Sequence, residues 1–135
     1  MSNEYPTSDA LRINHERLKD GRHAFQFRVG TDLFQQRKNP DLQTARIELH
    51  TELSKSGQTL DMVFRFQGSI GLTCDRCLLA YEQPIELEHR MVFSTNQRMA
   101  REGEQDAEVR ILDPHEPEID LAQDVYDLIA VQVPF

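Results

Sequence analysis

Both cysteines of the chain stand in one tetrapeptide, Cys74-Asp75-Arg76-Cys77. Two thiols at this spacing can chelate a metal from a single turn or close a reversible disulfide. A structural zinc site takes about four ligands, so Cys74 and Cys77 would supply half of one. The remainder would come from His50, His89 or His115, with His89 as the candidate third ligand, or from the same pair of another subunit. A dithiol catalyst instead needs its first thiol activated, typically at a helix N-terminus beside a cation. Arg76 is such a cation, but the flanking residues alternate like antiparallel strands and show no thioredoxin-like strand-helix order. The plainer reading is packing: Cys74 is in phase with Ile70 and Leu72, Cys77 closes the turn, and Arg76 is solvated or ion-paired. His89 divides the same way, because a histidine on an apolar strand face is more often a hydrogen-bonded core residue than a ligand. His115, between prolines, reads as exposed. There is no Gly-rich phosphate loop, nucleophile elbow or His-x-x-x-His pair, so the chain is not read as an enzyme.

The cysteine turn follows Phe64–Thr73 and precedes Leu78–Tyr81, so it joins two apolar segments. Upstream, Ile47, Leu49, Thr51 and Leu53 alternate with Arg46, Glu48, His50 and Glu52, the pattern of a strand with one wet face. Ser54–Gln58 reads as a turn, after which Leu60, Met62, Phe64 and Phe66 alternate to make an antiparallel partner. Gly68 and Gly71 then predict a bulge or bend where the sheet curls. Beyond the cysteines, Ile85, Leu87, His89, Met91 and Phe93 share one face. At the N-terminus, Leu11 and Ile13 and the run Phe25, Phe27, Val29 predict a hairpin around Asp20-Gly21. Thr31–Arg37 can form a short helix stopped by Asn39-Pro40. Ser94 to Glu108 is a polar connection, 107–112 a short strand, and 113–117 a rigid acidic loop. Asp120 can cap a final helix with Gln123 at the capping-box position. In it Leu121, Val125, Leu128 and Ile129 keep helical spacing, Gln123, Asp124 and Asp127 lie opposite, and Pro134 provides the stop.

These elements predict an α+β fold: a strongly curved or barrel-like antiparallel sheet with the C-terminal helix packed on it. The length of 135 residues suits one domain over 1–135, and the end at Phe135 suggests a missing C-terminal tail. A net charge of −8 makes an acidic protein that favours basic partners over non-specific contact with nucleic acid or anionic lipid. Basic residues gather at Arg12, Arg17, Lys19, Arg22 and Arg28, and acidic ones at Glu102–Glu108 and 113–127. No positive leader, apolar leader or membrane-length apolar run is present, which together with so few cysteines implies the cytoplasm, reduced thiols and no membrane contact.

The run Phe66–Leu78, a glycine and a short strand leading into Cys-x-Arg-Cys-Leu, resembles the signature of the YceD family. Glu118-Ile119-Asp120-Leu121, followed by a helix ending at Val133-Pro134, resembles that family's second motif. The resemblance runs from about Leu60 to Pro134. It implies a non-enzymatic factor needed for accumulation of large-subunit ribosomal RNA, with a ribosomal protein or that RNA as partner and no cofactor. By position, Cys74, Arg76, Cys77, Asp120 and Leu121 carry the two motifs. Many members have further cysteines after the helix and this chain has none, which leaves a zinc site incomplete. A zinc-binding structural module and a dithiol protein remain the alternatives.

Overall fold

The computed structural model describes residues 7–8, 11–35, 42–73, 79–95 and 108–132. In chain order its elements are β1 (Thr7–Ser8), β2 (Arg12–Asn14), a 3-10 turn η1 (His15–Arg17), β3 (Gly21–Gly30) and α1 (Thr31–Gln35). Then follow β4 (Leu42–Ser56), β5 (Thr59–Thr73), β6 (Ala80–Ser94), β7 (Glu108–Ile111), β8 (Glu118–Asp120) and α2 (Ala122–Ala130). Six strands form one sheet in the order β1-β3-β4-β5-β6-β7, and β2 pairs with β8 in a separate ladder.

The expected alternation builds the centre of the sheet. The β3, β4, β5 and β6 strands are successive antiparallel neighbours, and Phe27, Leu49, Phe66 and Leu87 form one cross-strand row. That face buries Ile47, Leu49, Leu53, Leu60, Met62, Phe64, Phe66, Ile85, Met91 and Phe93. Period-2 alternation places the charged residues between them, Arg46, Glu48, His50, Glu52, Arg65, Glu86 and Glu88, on the opposite, wet face. The β4–β5 reversal is tighter than predicted: Ser56 pairs with Thr59, so Gly57 and Gln58 alone make the turn, with Gly57 at φ 58°.

Three expectations are corrected. First, the sheet is open and mixed, not a barrel or a strongly curled antiparallel sheet. Its edge strands β1 and β7 are short, run parallel to β3 and β6, and do not pair with each other. A barrel removes its edges by joining first strand to last; here the apolar face is covered by a second layer instead. Leu11 and Ile13, Ile119, Phe34, Leu121 just before α2, and the helix residues Val125 and Ile129 complete one apolar cluster with the sheet. Second, β2 does not form a hairpin with β3. Its partner is β8, with Arg12 opposite Asp120 and Asn14 opposite Glu118. The intervening η1 turns the chain away, and Lys55 Nζ donates to the carbonyls of His15 (2.7 Å) and Leu18 (2.8 Å), fastening that turn to β4. Third, the irregularity expected at Gly68 and Gly71 falls on the partner strand beside Gly71: β4 shifts register between Leu42 and Thr44, opposite Leu72 and Gly71, while β5 keeps register with β6 through both glycines. Gly68 is needed for close approach, since a Cβ there would stand 2.7 Å from Ile47 Cα and nearer still to the Arg46 carbonyl oxygen.

The final helix begins almost as predicted. Asp120 Oδ1 accepts from the Ala122 amide at 2.9 Å, and Gln123 donates forward along the helix to Asp127 Oδ1 at 2.9 Å. The expected stops at Asn39-Pro40 and Pro134 and most of the polar connection fall outside the described residues. None of the helices described is long and apolar enough to cross a membrane.

Candidate functional site

Cys74, Arg76 and Cys77 lie outside the described residues. Their flanks are defined: Thr73 at the end of β5 pairs with Ala80 at the start of β6, and Leu72 pairs with Tyr81. Leu72 is buried, whereas Leu79 and Tyr81 are exposed. The motif therefore joins two antiparallel strands at one end of the sheet.

The histidines proposed as further ligands stand apart. His89 faces Phe64, nine register steps from the Thr73–Ala80 pair, which is roughly 30 Å along a strand. It shares the apolar face as expected and holds Glu108 Oε2 at 3.0 Å through Nε2. His50 is exposed, 3.8 Å from Glu48, and His115 is exposed in the acidic loop. Among the described residues no three His, Cys, Asp or Glu side chains gather as a metal site requires.

The second motif lies closer to the cysteine end. Leu121 is fully buried, and its amide donates to the Leu11 carbonyl at 2.7 Å. Asp120 is exposed, caps the helix start and lies 3.9 Å from Arg12 Nε. Beside it opens a groove of about 820 Å³ with Val29, Ala45 and Ile47 in its lining and charges from Arg12, Arg28, Arg46, Asp32, Glu48 and Asp120. Ala45 and Ile47 pair with Ile70 and Gly68 on β5, the strand that leads into the cysteine turn. Arg28 and Arg46 occupy diagonal cross-strand positions, since Arg28 faces Glu48 and Arg46 faces Gly30. Neither makes an ion pair or hydrogen bond among the described residues. Period-2 alternation in both runs could have placed these arginines together; the groove itself depends on β2 and β8 meeting, which local patterns do not encode.

The family model described as "Large ribosomal RNA subunit accumulation protein YceD" matches residues 62–135, more than half of the chain. The chain belongs to the YceD family. No curated protein and no solved structure matches it. The matched span holds Cys74–Cys77, Glu118–Leu121, the whole of β6 to α2, and Gly68.

Among the described residues, Asp124 has a perturbed carboxyl. Asp124 was expected on the wet side of the helix, yet its side chain is only 17% exposed and pairs with Arg110 of β7. Burial raises its pKa above the usual 3.8, against the Arg110 guanidinium, which lowers it. A carboxyl raised on folding contributes stability fully below its unfolded pKa and loses it as pH rises through the folded value. Arg110→Gln removes the opposing cation, so Asp124 should titrate higher still and the loss with rising pH should grow. Carboxyl-carbon NMR titration of Asp124 in both proteins checks this; a lower pKa in the variant would refute it.

Proposed function

We propose that this YceD-family chain is a non-enzymatic cytoplasmic factor in large ribosomal subunit biogenesis, working as one domain over 1–135 by binding a ribosomal protein or large-subunit RNA. The observation that carries this reading is the family match across both motifs. On this reading Cys74, Arg76, Cys77, Asp120 and Leu121 are the residues that carry the function, and no cofactor is called for.

The physical chemistry favours a basic protein over RNA. Asp113, Glu116, Glu118 and Asp120 are all exposed on the stretch that carries β8. This acidic ledge is held in shape by His15, whose Nε2 lies 2.9 Å from the Glu116 carbonyl and whose amide donates to the Pro117 carbonyl at 3.0 Å. A fixed row of carboxylates presents a preorganised surface to lysine and arginine, and an overall charge of −8 speeds encounter with cationic partners. Binding measured against ribosomal proteins and large-subunit RNA over a salt series tests the reading. Saturable binding to a ribosomal protein is expected, with affinity falling about tenfold or more from low to physiological salt. Absence of binding to either class would overturn it.

A further inference from the structure

The β6 strand is bordered on its outer side by β7 only from Met91 to Ser94. From Ala80 to Arg90 no described strand lies beside it, although every residue of this stretch is paired with β5 on the inner side. An edge strand offers a row of unpaired N–H and C=O groups, which proteins either blunt or use to receive another strand. Pro84 sits within the stretch, where a strand proline is tolerated because the position is an edge.

The side chains along this edge select a partner. Glu82, Glu86 and Glu88 occupy one face, while Ile85, Leu87 and His89 occupy the other. Glu88 is held by Arg65 at 3.2 Å; Glu82 and Glu86 make no ion pair or hydrogen bond among the described residues. Pairing with a second copy is disfavoured by the same residues. An antiparallel arrangement centred on Ile85 sets Glu82 opposite Glu88, one centred on Pro84 sets Glu82 opposite Glu86, and one centred on Leu87 sets Glu86 opposite Glu88. Like charges directly opposed destabilise a strand pair. Nucleic acid is disfavoured too, because its phosphates meet carboxylates and it has no peptide ladder to complete the edge.

We propose that β6 between Ala80 and Arg90 is a strand-addition site for an extended basic segment of a partner protein, one alternating Lys or Arg with apolar residues. The inference rests on the reading of this chain as a binding factor and specifies where and how a protein partner is held. Its basic residues meet Glu82 and Glu86 on one face while its apolar residues extend the face of Ile85 and Leu87.

The test is residue-resolved amide hydrogen exchange of the full chain, alone and with three probes: a synthetic peptide alternating lysine with valine, one alternating glutamate with valine, and a single-stranded RNA oligonucleotide. Expected are fast-exchanging edge amides within 80–90 in the free chain, protected about tenfold or more by the lysine peptide alone. The E82K/E86K variant, both of whose sites are exposed, should lose that protection while its Phe64 and Phe66 amides stay protected as in the parent. Full protection in the free chain overturns the proposal, because the chain then covers its own edge. Equal protection by the glutamate peptide, protection by RNA instead, or no protection by the lysine peptide also overturns it. The two readings fail separately: if a ribosomal protein binds E82K/E86K as tightly as the parent, the edge is wrong and the binding role stands, whereas no binding of the parent to a ribosomal protein or large-subunit RNA overturns the binding role itself.

Discussion

Replacing Gly68 with alanine is expected to cost about 2–4 kcal/mol of folding stability, well above an ordinary surface substitution. The added Cβ would lie 2.7 Å from Ile47 Cα and even closer to the Arg46 carbonyl oxygen. Those are backbone atoms of β4, a strand hydrogen-bonded on both sides by β3 and β5, so moving them disturbs two ladders together. The backbone at Gly68, φ 158°, is also one that side chains other than glycine rarely adopt. Gly71 supplies the control. A Cβ there meets the Thr44 hydroxyl, on an exposed side chain that can turn away, and Gly71→Ala should cost under about 1 kcal/mol. Urea denaturation of the two variants, read as midpoints at equal slope, checks the ordering. A Gly68→Ala protein within about 0.5 kcal/mol of the parent would mean that β4 yields, and that Gly68 is not there for close approach.

The same glycine shows where reading from sequence succeeds and where it stops. Alternation over Arg46–Leu53, Leu60–Gln67 and Ile85–Phe93 was sufficient to place three strands and their faces, because a sheet with one wet side writes its geometry as period 2. It placed His89 on the apolar face, but could not show that the register separates His89 from the cysteine turn and gives it Glu108 instead. Glycine inside a strand signals either irregularity or close approach, and only the neighbouring backbone chooses between them. Partner choice was equally hidden for the N-terminus. Leu11 and Ile13 sit near a strong turn signal at Asp20-Gly21, yet Ile13 pairs with Ile119 across most of the chain. Closing that pair buries both residues, and burial outweighs the nearby turn signal. Helical spacing puts Asp124 on the wet side because it says nothing of Arg110 arriving from β7. The cysteine motif was legible as a connection between two strands, and Thr73–Ala80 pairing bears that out.

Leu121→Ala is expected to lower stability by about 3 kcal/mol, within the range for a leucine emptied from a core that cannot collapse around it. Leu121 is fully buried in the same cluster as Val125, Ile129 and the sheet residues, and its amide ties β8 to Leu11. Its neighbour Asp120 should behave differently. Asp120 is exposed, and alanine there removes a cap to Ala122 and a loose contact with Arg12, a loss of about 1 kcal/mol. The two substitutions thus separate the structural content of the motif from its surface content. If the motif serves mainly to seat the last helix, the binding defect of Leu121→Ala should follow its unfolded fraction and disappear on cooling to where both proteins are folded. Asp120→Ala should then bind like the parent. If the exposed carboxylate contacts a basic partner, Asp120→Ala loses affinity while its melting curve barely moves, and Asp120→Asn, which can still accept from Ala122, regains the stability but not the binding. Thermal melts paired with titrations at two temperatures distinguish these cases. An Asp120→Ala protein less stable than Leu121→Ala would contradict both, since it would assign the larger folding role to a solvated side chain over a leucine sealed in the core.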